Sequence, residues 1–96
     1  MRAMVLQRPG TPLRLEPDWP LREPGPAEVA VRVLACGVCR TDRHIVDGEL
    51  VPSKLPLVPG HEVIGEVVAT GSQVRSVRVG DRVGVSWLGW TCGECE

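Results

Sequence analysis

Two C-x-x-C pairs and two histidines are the side chains of this chain best suited to chemistry. Cys36 and Cys39 form the first pair, and Cys92 and Cys95 form the second. Such pairs form disulfides in oxidising compartments and bind metals in reducing ones. The spacing leaves both possibilities open, and a reducing cytosol would favour metal binding.

Thiol, guanidinium, hydroxyl, carboxylate and imidazole groups are concentrated in residues 36–44, and the second histidine lies in Gly60-His61-Glu62. Zinc accepts Cys sulfur, His nitrogen and carboxylate oxygen, and a catalytic zinc keeps one position open. Each residue also has a plain structural interpretation. Cys36 fits a small buried thiol after an apolar strand, His61 a structural histidine, and Arg43 a solvated charge.

Short elements must position these groups, because 11 Gly and 9 Pro leave little room for long helices. Period-two patterns and turn residues predict strands over 2–7, 13–16, 28–34 and 62–70, and two apolar stretches around a turn within 77–85. Residues 41–46 fit a helical turn ended by Asp47-Gly48, and three prolines space out a loop over 52–59. Gly65 inside a strand predicts a bulge or a close backbone approach. This pattern predicts a small all-β barrel or sandwich.

Composition excludes several classes of partner. The 11 basic residues are matched by 12 acidic ones and are scattered, so no nucleic-acid partner is expected. No apolar run approaches the roughly 20 residues of a membrane span, and the N-terminus lacks the pattern of a signal peptide. We therefore expect a cytoplasmic protein. Its core must be aliphatic, because Phe and Tyr are absent.

The segment Gly60-His61-Glu62-Val63-Ile64-Gly65, with Gly71 and Val74 after it, resembles the signature of zinc-dependent medium-chain alcohol dehydrogenases. Residues 36–44, 55–59, 79–83 and 92–95 resemble other motifs of that family, in the same order and spacing. The resemblance implies a mainly β fold, a GroES-like β-barrel with short helices. Residues 1–96 would be the N-terminal part of that catalytic domain, ending inside its structural-zinc lobe. No G-x-G-x-x-G motif follows a strand, so the family's Rossmann domain is expected outside these residues.

The resemblance also implies a catalytic zinc. Cys39 would bind it through sulfur and His61 through nitrogen, while Glu62 would be an alternative or transient ligand. The family's usual third cysteine ligand is not among these residues. Asp42 would accept a hydrogen bond from His61 and fix its tautomer.

Further roles follow from the same resemblance. Thr41 and His44 would form a proton relay, Arg40 would bind the pyrophosphate of NAD or NADP, and His44 would also lie at the cofactor. Trp87 would wall the substrate pocket. The implied reaction interconverts small alcohols and aldehydes or ketones by hydride transfer to NAD(P), in an enzyme expected to be a homo-oligomer. Residues 1–96 alone would be inactive.

Cys92 and Cys95 would be the first two of four ligands of a structural zinc. The main alternative is a non-enzymatic zinc-binding module in which both C-x-x-C pairs share one metal. Cys39 and Cys92 are 53 positions apart, whereas a zinc ribbon has a spacer of roughly 15–20 residues. That alternative also leaves His61 unexplained. Quinone reductases of the superfamily lack zinc ligands, and polyol dehydrogenases of the same family remain open.

Overall fold

Five strands and one helix are found among the described residues. The computed structural model describes residues 1–89, 91, 92, 94 and 95. The elements are β1 (Ala3–Val5), β2 (Arg14–Glu16), β3 (Val29–Gly37), α1 (Arg40–Asp47), β4 (Glu62–Thr70) and β5 (Arg82–Val85). Every pairing is antiparallel, with β1 on β2 in one sheet and the order β3-β4-β5 in the other. An isolated antiparallel bridge pairs Leu6, just after β1, with Leu57 in the loop before β4.

The predicted strands are found, with shifted ends in most cases. The strand expected over 62–70 is confirmed residue for residue as β4, the central strand of the larger sheet. The strand expected over 28–34 continues to Gly37, so the pattern break at Cys36 was placed too early. Pairing with β4 extends β3, because the ladder continues to the pair Gly37 and Glu62.

Gly65 fits the prediction of a close backbone approach. A Cβ atom added there would lie 2.2 Å from Val31 Cγ1 and 2.7 Å from the Arg32 carbonyl oxygen. The β3–β4 register also shifts beside it, between Val33 and Ala35, so Leu34 has no partner across the ladder. This is the geometry of a β-bulge, which bends the strand.

Helix α1 begins at the residue after Cys39 and ends before Gly48. Cys39 has extended backbone angles, as a helix N-cap does, and its N–H donates to Asp42 Oδ2 at 3.0 Å. Gly48 has a φ of 87° and its N–H donates to carbonyl groups of the last turn. A left-handed glycine is a common way to end a helix, so the short helical turn expected from the sequence is confirmed.

The core is small and aliphatic. Among the described residues the buried apolar side chains are Ala3, Val5, Leu6 and Val67. Val33 and Leu34 are exposed, so β3 does not show the half-buried alternation expected of it. Cys36 is exposed too, which corrects its interpretation as a buried thiol.

Candidate metal centre

Two segments far apart in sequence meet where the β3–β4 ladder ends. Cys39 lies between β3 and α1, His61 immediately precedes β4, and Glu62 begins it. One ligand atom from each of these three residues lies within 4.8 Å of the other two. Thiolate, imidazole and carboxylate are all zinc ligands, so one metal ion is within reach of all three.

Asp42 supports this centre from the first turn of α1. It is the buried charged residue among the described residues, with 8% of its surface exposed. Its Oδ2 atom accepts the Cys39 N–H, and its Oδ1 atom lies 2.9 Å from His61 Nδ1. One carboxylate therefore contacts both the N-cap cysteine and the histidine.

The surroundings of the buried Asp42 Oδ1 atom indicate whether His61 is arranged to bind a metal. It lies within ion-pair range of His61 Nδ1, at 2.9 Å, and it has no other partner among the described residues. A metal on the other ring nitrogen, Nε2, would require the proton on Nδ1. Oδ1 is the acceptor placed for that proton, so the residues fit a histidine-bound metal.

The electrostatics of the centre depend on the contact between Cys39 and His61. The pKa of Cys39 is lowered, chiefly because the Thr41 backbone N–H donates to the sulfur, and further by contacts from His61 and the Thr41 hydroxyl. The pKa of His61 is raised, chiefly by contact with the Cys39 sulfur, and the Asp42 carboxylate adds to this. A metal needs the thiolate and the neutral imidazole, so its binding releases a proton and strengthens as pH rises.

The residues expected to act beside the metal lie along α1. Arg40, its first residue, is exposed, and Thr41, half-buried, contacts the Cys39 sulfur. His44 is half-buried on the next turn, where its Nδ1 atom contacts Glu49 Oε2. Sequence reasoning missed Glu49, for which the available signal was an acidic residue directly after the helix-ending Gly48.

The second cysteine pair lies outside this centre. The Cys92 and Cys95 sulfur atoms are 3.0 Å apart, and both residues are exposed. Contact with Cys95 is the main cause that lowers the pKa of Cys92, to about 7. Within the described part of the chain, neither these cysteines nor Cys36 joins the group of Cys39, His61 and Glu62. The arrangement does not support a zinc shared by the two C-x-x-C pairs.

Trp87 follows β5 and is 75% exposed, so no described residue encloses a pocket around it. The structure brings Cys39, Thr41, Asp42, His61 and Glu62 together, and it places Trp87, Cys92 and Cys95 on the segment after β5. No helix in the described ranges has the length and apolar character needed to cross a membrane.

The fold and the site define a mainly β domain in which Cys39, His61 and Glu62 could hold a metal ion. The chain belongs to the family described as "Alcohol dehydrogenase GroES-like domain", whose model matches residues 25–96. The expectation of a mainly β, GroES-like fold is therefore confirmed.

Individual relatives agree with this family. An alcohol dehydrogenase of Geobacillus stearothermophilus is 51% identical over 82 residues, which cover 84% of this chain and 24% of the relative. Benzyl alcohol dehydrogenase from Acinetobacter calcoaceticus has a TM-score of 0.84 at 36% identity, covering 98% of this chain and 25% of that one. The CAD of Helicobacter pylori, complexed with NADP(H), also has a TM-score of 0.84, at 25% identity, covering 99% and 27%. The chain thus spans only a minor part of the length of its relatives.

Proposed function

We propose that these 96 residues are the N-terminal part of the catalytic domain of a zinc-dependent alcohol dehydrogenase, which interconverts alcohols and aldehydes or ketones with NAD or NADP. The observation that carries this proposal is the meeting of Cys39, His61 and Glu62 within 4.8 Å in a domain of the alcohol dehydrogenase family. The small fraction of each relative that the chain covers supports a longer enzyme, and the NADP(H) bound to the Helicobacter pylori relative supports a nucleotide-binding domain in that enzyme.

In this proposal Cys39 and His61 bind the catalytic zinc, with Glu62 beside them as an alternative or transient ligand. When bound, zinc supplies a Lewis acid for the substrate oxygen, and the nicotinamide exchanges a hydride with the substrate carbon. The Asp42 carboxylate holds the His61 ring in one tautomer, for which its position 2.9 Å from Nδ1 is the support.

Proton movement is assigned to Thr41 and His44. The Thr41 hydroxyl lies next to the Cys39 sulfur, so it is close to where a substrate oxygen would sit. His44 is three residues further along α1 and partly exposed, where an imidazole can pass a proton to solvent. We propose that Thr41 donates to and accepts from the substrate oxygen and that His44 completes the relay near the cofactor.

Arg40 is proposed to bind the cofactor pyrophosphate, because it is an exposed guanidinium beside the metal centre. We expect Arg40→Gln in the complete enzyme to raise the Kd for NAD(P) by roughly 10- to 100-fold, since a charge-assisted hydrogen bond contributes about 1.5–3 kcal/mol. Fluorescence titration with the reduced cofactor measures this.

Arg43→Gln is the matched control for Arg40→Gln. Arg43 is on the same helix, and its side chain is 80% exposed and pairs with Asp47. Its substitution should leave cofactor affinity within about twofold of wild type, as exposed pairs contribute little. Equal cofactor affinity in wild type and Arg40→Gln would show that Arg40 does not bind the cofactor.

The remaining assignments are proposals of the same kind. Trp87 would wall the pocket for a small alcohol or carbonyl substrate, and Cys92 with Cys95 would hold a structural zinc, for which the 3.0 Å sulfur separation is the support. A cytoplasmic location and the absence of nucleic-acid and membrane partners are expected from the sequence, and a homo-oligomeric enzyme is expected from the family resemblance.

The reaction itself is tested by measuring nicotinamide reduction in the complete enzyme with a panel of primary and secondary alcohols. We expect turnover that is lost when zinc is removed by a chelator. Residues 1–96 alone should give no turnover, because the nucleotide-binding domain is proposed to lie outside them. Turnover by the isolated 96 residues would contradict that division of roles, and a complete enzyme without zinc would contradict the whole proposal.

A further inference from the structure

The Glu62 carboxylate has close contact with a residue that carries no side chain. Gly37 and Glu62 are cross-strand partners in the β3–β4 ladder. A Cβ atom added to Gly37 would lie 2.5 Å from Glu62 Oε2, 3.2 Å from its Cβ and 3.5 Å from its Cδ. The space that any other residue would fill at position 37 is therefore occupied by the Glu62 carboxylate.

The backbone does not require glycine here. Gly37 is not among the glycines with positive φ, which are Gly10, Gly48, Gly60 and Gly80. The three heavy atoms nearest to the added Cβ all belong to the Glu62 side chain. An alanine at position 37 would thus be tolerated by the strand and would be resisted mainly by a flexible carboxylate, which can rotate away.

Glu62 has little else to hold it among the described residues. Its carboxylate takes part in none of the hydrogen bonds or ion pairs found there, and the residue is exposed. Yet a carboxylate oxygen lies within 4.8 Å of the Cys39 and His61 ligand atoms. The absence of a side chain on Gly37, rather than a hydrogen-bond partner, is what allows the Glu62 carboxylate to lie at the centre.

We propose that Gly37 is a positioning residue for the metal centre, and that the space above its Cα atom lets the Glu62 carboxylate reach a metal held by Cys39 and His61. This inference rests on the proposed metal site. Any side chain at position 37 moves the carboxylate away from the metal, so Gly37→Ala acts as Glu62→Ala does, without touching a ligand.

The test is a double-mutant cycle in the complete enzyme loaded with Co²⁺. The signal is the thiolate-to-cobalt absorption that disappears in Cys39→Ser, and the measurement is the rate at which EDTA removes that signal. We expect Gly37→Ala to change the rate by about tenfold, the scale for residues that orient metal ligands, in the same direction as Glu62→Ala. In the Glu62→Ala background, Gly37→Ala should add nothing.

Gly84→Ala is the matched control, because a Cβ at this β5 glycine would make only an ordinary contact, 3.7 Å from Ile64 Cδ1. It should leave the rate unchanged. The proposal is overturned if Gly37→Ala has no effect, if its effect persists in the Glu62→Ala background, or if Glu62→Ala itself has none. If Gly37→Ala does not fold, its folding in the Glu62→Ala background supports the proposal and failure in both backgrounds overturns it. If the wild-type enzyme gives no Cys39-dependent cobalt signal, the proposed assignment of the metal site itself is wrong.

Discussion

Cys39→Ser should abolish the activity of the complete enzyme and remove its catalytic zinc, while the fold and the structural zinc are kept. Cys39 is the proposed thiolate ligand, and its sulfur lies against both His61 and Thr41. A Lewis-acid metal contributes several kcal/mol to the transition state, so its loss should lower kcat/KM by about 10³-fold or more. Zinc content, the rate of nicotinamide reduction and the melting temperature are the three measurements.

Two other cysteines serve as controls for Cys39→Ser. Cys36→Ser should keep both metals and most of the activity, because Cys36 is exposed and outside the metal-binding group. Cys92→Ser should instead lower the melting temperature and release the structural metal, since structural zinc contributes to folding. Loss of metal in Cys36→Ser to the same extent as in Cys39→Ser would defeat the two-site assignment.

Asp42→Asn should weaken zinc binding by about 10- to 100-fold, the usual effect of removing the carboxylate that orients a metal-bound histidine. The substitution removes the negative charge beside His61 Nδ1, while an amide oxygen can still accept the Cys39 N–H as Oδ2 does. The helix start should therefore persist. Competition with a chromophoric chelator measures the zinc affinity, and circular dichroism checks the helix content.

Asp47→Asn is the control for Asp42→Asn at the other end of the same helix. Its carboxylate pairs with Arg43 at 3.3 Å and its side chain is 47% exposed, so zinc affinity should be unchanged. Similar zinc affinity in wild type and Asp42→Asn would mean that the Asp42 contact does not orient the ligand.

The sequence predicted the local structure well where local chemistry dominates. Turn and cap residues such as Gly48 act within a few positions, and the β-rich pattern of residues 62–70 produced a strand with the expected ends. The end of β3 was misplaced because Cys36 and Gly37 are strand residues only through pairing with β4. The prediction that Cys36 is buried was wrong for a related reason. The exposure of a strand residue depends on what packs over the strand and not on the strand's own residues.

The candidate site was predicted from motifs, and the family resemblance also predicted the contact between Asp42 and His61. Other contacts of the site were not predicted. Side-chain chemistry identified Cys39 and His61 as possible zinc ligands, and only the resemblance joined them across 22 positions. The contact between His44 and Glu49 depends on the chain reversing after α1, and the space over Gly37 depends on the strand register. The first contact spans only five positions, whereas the second is a tertiary feature that no single segment encodes.

The place of the metal centre on the sheet has a consequence for dynamics. Gly37 and Glu62 form the last pair of the β3–β4 ladder, and the 24 residues between them close a long loop that includes α1. Terminal pairs of a ladder open more readily than central ones, so Cys39 and His61 are assembled only in the fraction of molecules in which this end is closed. The apparent affinity for a metal is reduced by that fraction. A bound ion would in turn suppress local unfolding at this end, because it would hold the paired ends of β3 and β4 together.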